Sequence, residues 1–293
     1  MTASQITIDG VSKSYSAANA HKQVIEDCSL TVERGKVTVL IGPSGCGKST
    51  LVRLLAGFEQ PTSGRITLDG ELVGGPSHDR LVLFQETALF PWMTVLDNVL
   101  YGPRARGRLT PDSHRRAAEL LQRVGCEAFT DKYPSQLSGG MQRRVELARA
   151  MINDPKIMIL DEPFRGLDAL TKELMWQYYA SLFECSGSTH LFITTDIEEA
   201  VYIADRIVVM ANIPTRPRAV IDVDLPRPRD LVQHMASDRV AAIKRQALQI
   251  LHEEALRSFA SGNKAALDFI ASYEQRFAQA AADATPDQQS LLR

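Results

Sequence analysis

The sequence predicts an α/β fold: a core with a mainly parallel sheet, an antiparallel β-subdomain at its N-terminal end, an inserted helical subdomain and a C-terminal helical appendage. Three observations carry this prediction. Continuous apolar runs, VTVLIG (37 to 42), KIMILDE (156 to 162), HLFITT (190 to 195) and RIVVM (206 to 210), lack polar alternation, as strands buried on both faces do. Helical patterns separate several of these runs, the alternation that builds parallel sheets. The shorter runs ITID, SLTVE and RITLDGELV alternate apolar with polar residues between Gly-rich turns, which reads as antiparallel strands.

Along the chain, the segments AAELLQRVG (117 to 125) and MQRRVELARAMI (141 to 152) place an inserted helical subdomain at about 87–155. The main domain then spans 1–225. A Pro-rich stretch, PTRPRAVIDVDLPRPRD, marks the border of an extension over 226–293. In it Val240, Ile243, Ala247, Ile250 and Leu251 share one helix face, expected to pack on the chain's own core. After the break at Gly262 and Asn263, Leu267, Ile270 and Phe277 suggest a further amphipathic helix.

With 293 residues the chain can bury a sizeable core. Its 33 Lys and Arg against 35 Asp and Glu give a formal charge of −2, so the overall balance offers no reason to expect nucleic acid as a partner. The cluster Arg104, Arg106, Arg108, Arg115 and Arg116 reads as a solvated face. Cys28, Cys46, Cys126 and Cys185 lie far apart without metal spacing, which points to a reducing compartment such as the cytoplasm. No run of about 18 apolar residues occurs, so any service to a membrane runs through partners.

The segment GPSGCGKST, Gly42 to Thr50, follows the strand VTVLI and precedes the apolar helix LVRLLAG. It fits G-x-x-x-x-G-K-S in the strand-before, helix-after context of a phosphate-binding loop. Gly42, Gly45 and Gly47 let backbone N–H groups converge, and Pro43, Ser44, Cys46 and Thr50 complete the loop. Lys48 would reach the β- and γ-phosphates of a nucleotide, and the Ser49 hydroxyl would ligate Mg2+. In IMILDEP (157 to 163), Asp161 suits the Mg2+ shell, and Glu162 is placed to polarise an attacking water. The core thus reads as that of a P-loop NTPase.

The stretch YPSQLSGGMQRRVELARAM (133 to 151) contains Leu137-Ser138-Gly139-Gly140-Met141, which resembles the signature of ABC ATPases, the nucleotide-binding subunits of ATP-binding-cassette systems. The resemblance covers about residues 5 to 230. It implies that Ser138, Gly139 and Gly140 face the γ-phosphate held by a second ATPase subunit, so that ATP is sandwiched between two chains. It implies that Tyr15 stacks on adenine and that Gln85 touches Mg2+ and the water. Residues Leu89 to Asn98 would receive a coupling helix from a membrane subunit, and the loop of Asp168 would communicate across the dimer. Arg165 and Gly166 depart from the more usual Gly-Ala before Leu-Asp.

In that family the strand after the acidic pair ends in Thr-His-Asp, and its histidine bridges the γ-phosphate and the glutamate. Here the positions are Thr194-Thr195-Asp196. His190 lies about 16 Å upstream on the opposite strand face and cannot substitute. Thr195 can donate one hydrogen bond but carries no imidazole. Hydrolysis is therefore expected to be weakened on the order of 10²- to 10³-fold, while ATP binding suffers less. FQETALFPWMTVLDNV and DEPFRGLDALTKELMW look like the ATPase subunits of nitrate, sulfonate and taurine importers. The implied complex has two ATPase chains, two membrane-spanning permease subunits and a solute-binding protein reached indirectly. It would sit at the cytoplasmic face of the inner (plasma) membrane. Two alternatives stay open: a soluble ABC ATPase outside transport, and a regulatory ATP-binding subunit with little hydrolysis.

Overall fold

A computed structural model describes residues 4–17, 20–230 and 237–260. Its centre is a six-stranded sheet of β3 (Val37–Ile41), β6 (Arg80–Leu83), β7 (Ile157–Asp161), β8 (Thr189–Thr194), β9 (Arg206–Met210) and β10 (Pro217–Asp222), in the order β10-β9-β3-β8-β7-β6. All neighbours are parallel except β10, which runs antiparallel to β9. A second, antiparallel sheet takes β1 (Ser4–Ala17), β2 (Ala20–Glu33), β4 (Ser63–Leu68) and β5 (Glu71–Leu72) in the order β2-β1-β4-β5.

The unbroken apolar runs are explained by what lies on each face. Successive side chains of a strand point to opposite faces, and here each face meets its own core. Val39, Met158, Leu160, Phe192, Ile207 and Val209 face one apolar cluster; Leu40, Ile157, Ile159, Leu191, Ile193 and Val208 face the other. The second cluster also takes Leu51, Val52, Leu54 and Leu55 of α1 (Lys48–Ala56) together with Ile6, Ile8 and Val11 of the antiparallel sheet. Helix α1 is thus clamped between the two sheets.

The first cluster is covered by α2 (Val95–Ala105), α3 (Pro111–Arg123), α4 (Gly139–Met151), α5 (Ala169–Ser186), α6 (Ile197–Ile203) and α7 (Asp238–Ala260). The helical segments predicted at 117 to 125 and 141 to 152 are α3 and α4. On α7 Val240, Ile243 and Ala247 are buried, while Ile250 and Leu251 pack partly buried on the same core, so this face does pack on the chain itself. Glu254, also on α7, is buried and accepts from the Asn212 amide (3.3 Å) and Arg257 (2.7 Å). The amphipathic pattern at Leu267, Ile270 and Phe277 lies outside the described residues.

Two sequence readings change. The Pro-rich stretch after Met210 is no mere border, because Pro217–Asp222 extends the central sheet as an edge strand. Pro217 is tolerated as the first residue of an edge strand. The predicted strands ITID and SLTVE are pieces of two 14-residue strands, in which Ile6 pairs with Val32 and Tyr15 with Lys22. The arginine cluster is surface chemistry: Arg104 pairs with Asp97 (2.7 Å), and Arg115 and Arg116 with Asp112 and Asp154. Among the described residues no helix is long and apolar enough to cross a membrane.

Candidate active site

Because β3, β7 and β8 are parallel neighbours, their C-terminal ends open on one edge of the sheet, where α/β folds bind ligands. From Ile41 the chain turns through residues 42–47 into α1. Gly47 has φ 103°, and a Cβ there would lie 2.6 Å from Thr215 Oγ1 and 2.9 Å from Val24 Cγ1, so only glycine fits. A Cβ on Gly42 would press Cys46 Sγ and Met210 Cβ at 3.1 Å. Cys46 is buried in the core shared with α1, whereas Ser44, Gly45 and Ser49 are exposed. Lys48 Nζ donates to the carbonyls of Gly42 (2.8 Å) and Pro43 (2.9 Å), spanning the mouth of the loop. Gly47 caps α1 without a side-chain acceptor, so the helix end keeps amides for an anion.

Two strands away, Asp161 closes β7 beside Ser49. Burial raises the carboxyl of Asp161 above its ordinary range, and the Ser49 side chain works against that rise. The next residue, Glu162, sits at φ 46°, a left-handed conformation costing about 1–2 kcal/mol for a side chain with a Cβ. Its amide donates to Ile193 O (2.9 Å), and its Oε2 accepts from Arg165 Nη1 (2.9 Å).

Strand β8 pairs Ile193 with Asp161, so Glu162 lies beside Thr194, and the exposed Thr195 follows one residue on. Thr194 Oγ1 accepts from the Asp196 amide (3.0 Å), and Asp196 caps α6 and pairs with Lys172 (2.9 Å). His190 is fully buried; its Nδ1 shares a hydrogen bond with the Tyr179 hydroxyl (2.7 Å) and its Nε2 with Ser188 Oγ (2.8 Å). Burial lowers its pKa to about 3, with the Arg227 charge adding to the effect. It is a core residue out of reach of the strand end.

Tyr15 is exposed near Thr50 of α1, and its hydroxyl donates to Glu59 Oε2 (2.6 Å). Gln85 is exposed just beyond β6. Ser138 caps α4, accepting from the Met141 amide (3.3 Å); Gly139 is exposed with open space around it, and a Cβ on Gly140 would meet Thr171 Cγ2 at 3.0 Å. Asp168 caps α5 through the Thr171 amide (3.0 Å). Among the described residues no hydrogen bond or ion pair joins residues 138–140 to the loop at 42–50. The chain brings Lys48, Ser49, Asp161, Glu162 and Thr195 to one sheet edge and leaves the α4 tip apart.

Sequence reasoning missed how the segment after β6 is held. Arg143, buried on α4, donates to Phe84 O (2.9 Å) and to Gln85 O, and pairs with Glu146 (2.5 Å). Glu146 accepts from the Ala88 amide (3.0 Å), and Arg149 donates to Ala88 O (2.8 Å). The available signal was charge at i, i+3 on a helix that must bury a face. Thr215, against Gly47, carried no local signal at all.

A glycine loop between a buried strand and a helix, a lysine across its mouth and a serine beside a strand-end aspartate define a P-loop nucleoside-triphosphatase. Comparison with known proteins narrows this. A family profile described as "ABC transporter" matches residues 25–165. The aliphatic sulfonates import ATP-binding protein of Bacillus cereus is 38% identical over 244 residues, 83% of this chain and 94% of that protein. The nitrate import ATP-binding protein of Synechococcus elongatus is 40% identical over 247 residues, covering 83% and 90%. A dimeric bacterial ABC transporter cassette superposes with a TM-score of 0.65 at 28% identity, over 75% of this chain and all of that one. A post-hydrolysis cassette dimer bound to ADP and Pi gives 0.64 at 26% identity, with the same coverage. The chain belongs to the ABC transporter ATP-binding proteins, ATP-binding ATPases coupled to transport.

Proposed function

We propose that this chain is the ATP-hydrolysing subunit of an ABC importer for a small anionic solute of the nitrate, sulfonate or taurine kind. It works at the cytoplasmic face of the inner membrane, bound to two membrane-spanning subunits and fed by a solute-binding protein. The rival reading, an ABC ATPase outside transport, is less well supported because the relatives named for import match over nearly their whole length.

The observation that carries the catalytic part is the placement of Asp161 beside Ser49, next to the loop whose mouth Lys48 spans. Two oxygen ligands of Mg2+ already lie together there, next to a cationic side chain and an uncapped helix N-terminus, so the residues fit Mg·ATP. Bound Mg2+ would neutralise phosphate charge as the terminal phosphoryl group leaves. Lys48 would exchange the carbonyls of Gly42 and Pro43 for β- and γ-phosphate oxygens, and the loop amides would hold the rest of the chain of phosphates. Tyr15, near Thr50, offers its ring to adenine. Glu162 accepts a hydrogen bond from the attacking water and orients it, and Gln85 completes the water and metal surroundings. Thr195 offers one hydrogen bond to phosphate where an imidazole would offer charge as well, so this site hydrolyses more slowly than one with histidine.

Ser138, Gly139 and Gly140 are proposed to close over the nucleotide of a second ATPase subunit, with the Asp168 loop beside them. Closure would reach the membrane subunits through residues 89–98. There Asn98 is buried and staples the loop, accepting from the Phe90 amide (2.8 Å) and donating to the Phe90, Met93 and Thr94 carbonyls. Phe90 packs at a tilt against Tyr101 (centroids 4.6 Å apart) and against Trp92, which is 70% exposed, so an aromatic face is left for a partner.

The decisive variant is Glu162→Gln. Turnover should fall at least about 100-fold while ATP affinity stays within about threefold, since the loop and Lys48 are untouched. Turnover retained in the variant removes Glu162 from the chemistry and this assignment with it.

A further inference from the structure

Glu162 is the base of the proposed reaction, and the imidazole that would hold it is replaced by Thr195. A carboxylate that must orient water needs one oxygen fixed and the other free. The cations around the strand ends can be taken in turn. Lys48 is committed to the loop carbonyls, at 2.8 and 2.9 Å. Lys172 is paired with Asp196 at 2.9 Å, and His190 is sealed in the core between Tyr179 and Ser188. Among the described residues, Arg165 is the cation in an ion pair with Glu162: its Nη1 donates to Glu162 Oε2 at 2.9 Å, and its own backbone amide donates to Glu162 O (3.2 Å), closing one turn. The backbone at Glu162 is held as firmly, in the left-handed region, by its amide on Ile193 O. Arg165 is also, with Gly166, a residue by which FRGLD departs from the family pattern.

We propose that Arg165 is a positioning residue that takes over the carboxylate-facing half of the missing histidine's task, fixing Glu162 Oε2 and supplying a permanent positive charge beside it. The guanidinium does not touch the phosphate; that half of the bridge falls to the Thr195 hydroxyl. Two departures from the family pattern, Thr at 195 and Arg at 165, then become one compensated pair. The proposal rests on Glu162 being the base, which Glu162→Gln tests separately.

The experiment is a double-mutant cycle on the full-length chain, read by single-turnover hydrolysis of radiolabelled Mg·ATP and by fluorescence titration with an ATP analogue. Arg165→Ala should slow hydrolysis about 10- to 100-fold in the Thr195 protein but less than about threefold alongside Thr195→His, because the imidazole then holds Glu162. Arg165→Lys, which keeps charge and one donor, should recover part of the loss. Within each background, Thr195 or Thr195→His, the Arg165 substitutions should change affinity for the ATP analogue by less than about twofold, as the loop is untouched. Equal losses in both backgrounds would assign Arg165 a merely structural part and overturn the proposal. So would faster hydrolysis in Arg165→Ala, an unchanged rate with Glu162→Gln inactive, or wild-type protein that binds the analogue and never hydrolyses ATP.

Discussion

At the tip of α1 a side chain on Gly47 would collide with Thr215 and Val24, whereas at the tip of α4 the space around Gly139 is open; yet both glycines stand at the N-terminus of a helix. Gly47 is dictated from within, by its φ of 103° and by neighbours from two other segments. Gly139 has no such internal reason: its φ is not left-handed, and glycine in a helix costs about 1 kcal/mol relative to alanine. Among the described residues no neighbour of Gly139 requires the missing side chain, whereas Gly140 is kept small by the Thr171 methyl at 3.0 Å.

The same substitution at the two tips should break the symmetry of sequence most strongly. Gly47→Ala forces a Cβ into a 2.6 Å contact at left-handed φ, so about 3 kcal/mol of stability should be lost in urea unfolding, and ATP binding with it. Gly139→Ala should leave the monomer as stable or slightly stabilise it. Gly139→Asp then sharpens the contrast: ATP affinity of the monomer stays within about twofold, while a carboxylate aimed at phosphate weakens ATP-driven dimerisation by about 100-fold in analytical ultracentrifugation. Loss of monomer binding in Gly139→Asp would mean that the α4 tip serves its own chain after all.

That contrast also marks what could be read in advance. The loop at 42–50, the acids at 161 and 162, and the tip at 138–140 are local strings whose neighbours in sequence supply their context. So are the four buried runs, because two apolar clusters erase alternation at every position. Strand β10 was hidden by Pro217 and the arginines around it. Thr215 reaches Gly47 only through the backbone ladder that its amide and carbonyl make with Val24 and Glu26, a contact between distant segments. Arg165 was legible as an oddity, but its hold on Glu162 depends on a turn that positive φ at Glu162 creates. Pairings of this kind are three-dimensional facts with no periodic trace.

The α4 tip is free, but the body of α4 is not, and a smaller effect should show it. Glu146 is buried between Arg143 and the Ala88 amide. Glu146→Gln keeps an acceptor and removes the charge that balances Arg143, so stability should drop by about 2 kcal/mol. Arg143 would lose its brace on the Gln85 carbonyl as well, so coupling of hydrolysis to the membrane subunits should weaken more than ATP binding does. An unchanged ratio of transport to hydrolysis in this variant would reduce the tether to packing alone.

The smallest effect lies in the core under β8, and it should be indifferent to any partner. Burial raises the Glu199 carboxyl to about 7 from 4.5, against hydrogen bonds from Thr194 and Trp176, and lowers His190 to about 3 from 6.5. The sign differs for the two. Glu199 holds its proton better folded than unfolded, so its contribution is complete below about 4.5 and is lost as pH rises toward 7. His190 is neutral when folded, so its contribution is present above about 6.5 and is lost as pH falls toward 3. Between pH 7 and 5 the two slopes oppose. Glu199→Gln removes the opposing one, and acidification from pH 7 to 5 should then cost about 1 kcal/mol more in urea unfolding than it costs the parent protein, equally with and without ATP-induced pairing. A difference that appears only in the paired form would instead tie Glu199 to the interface.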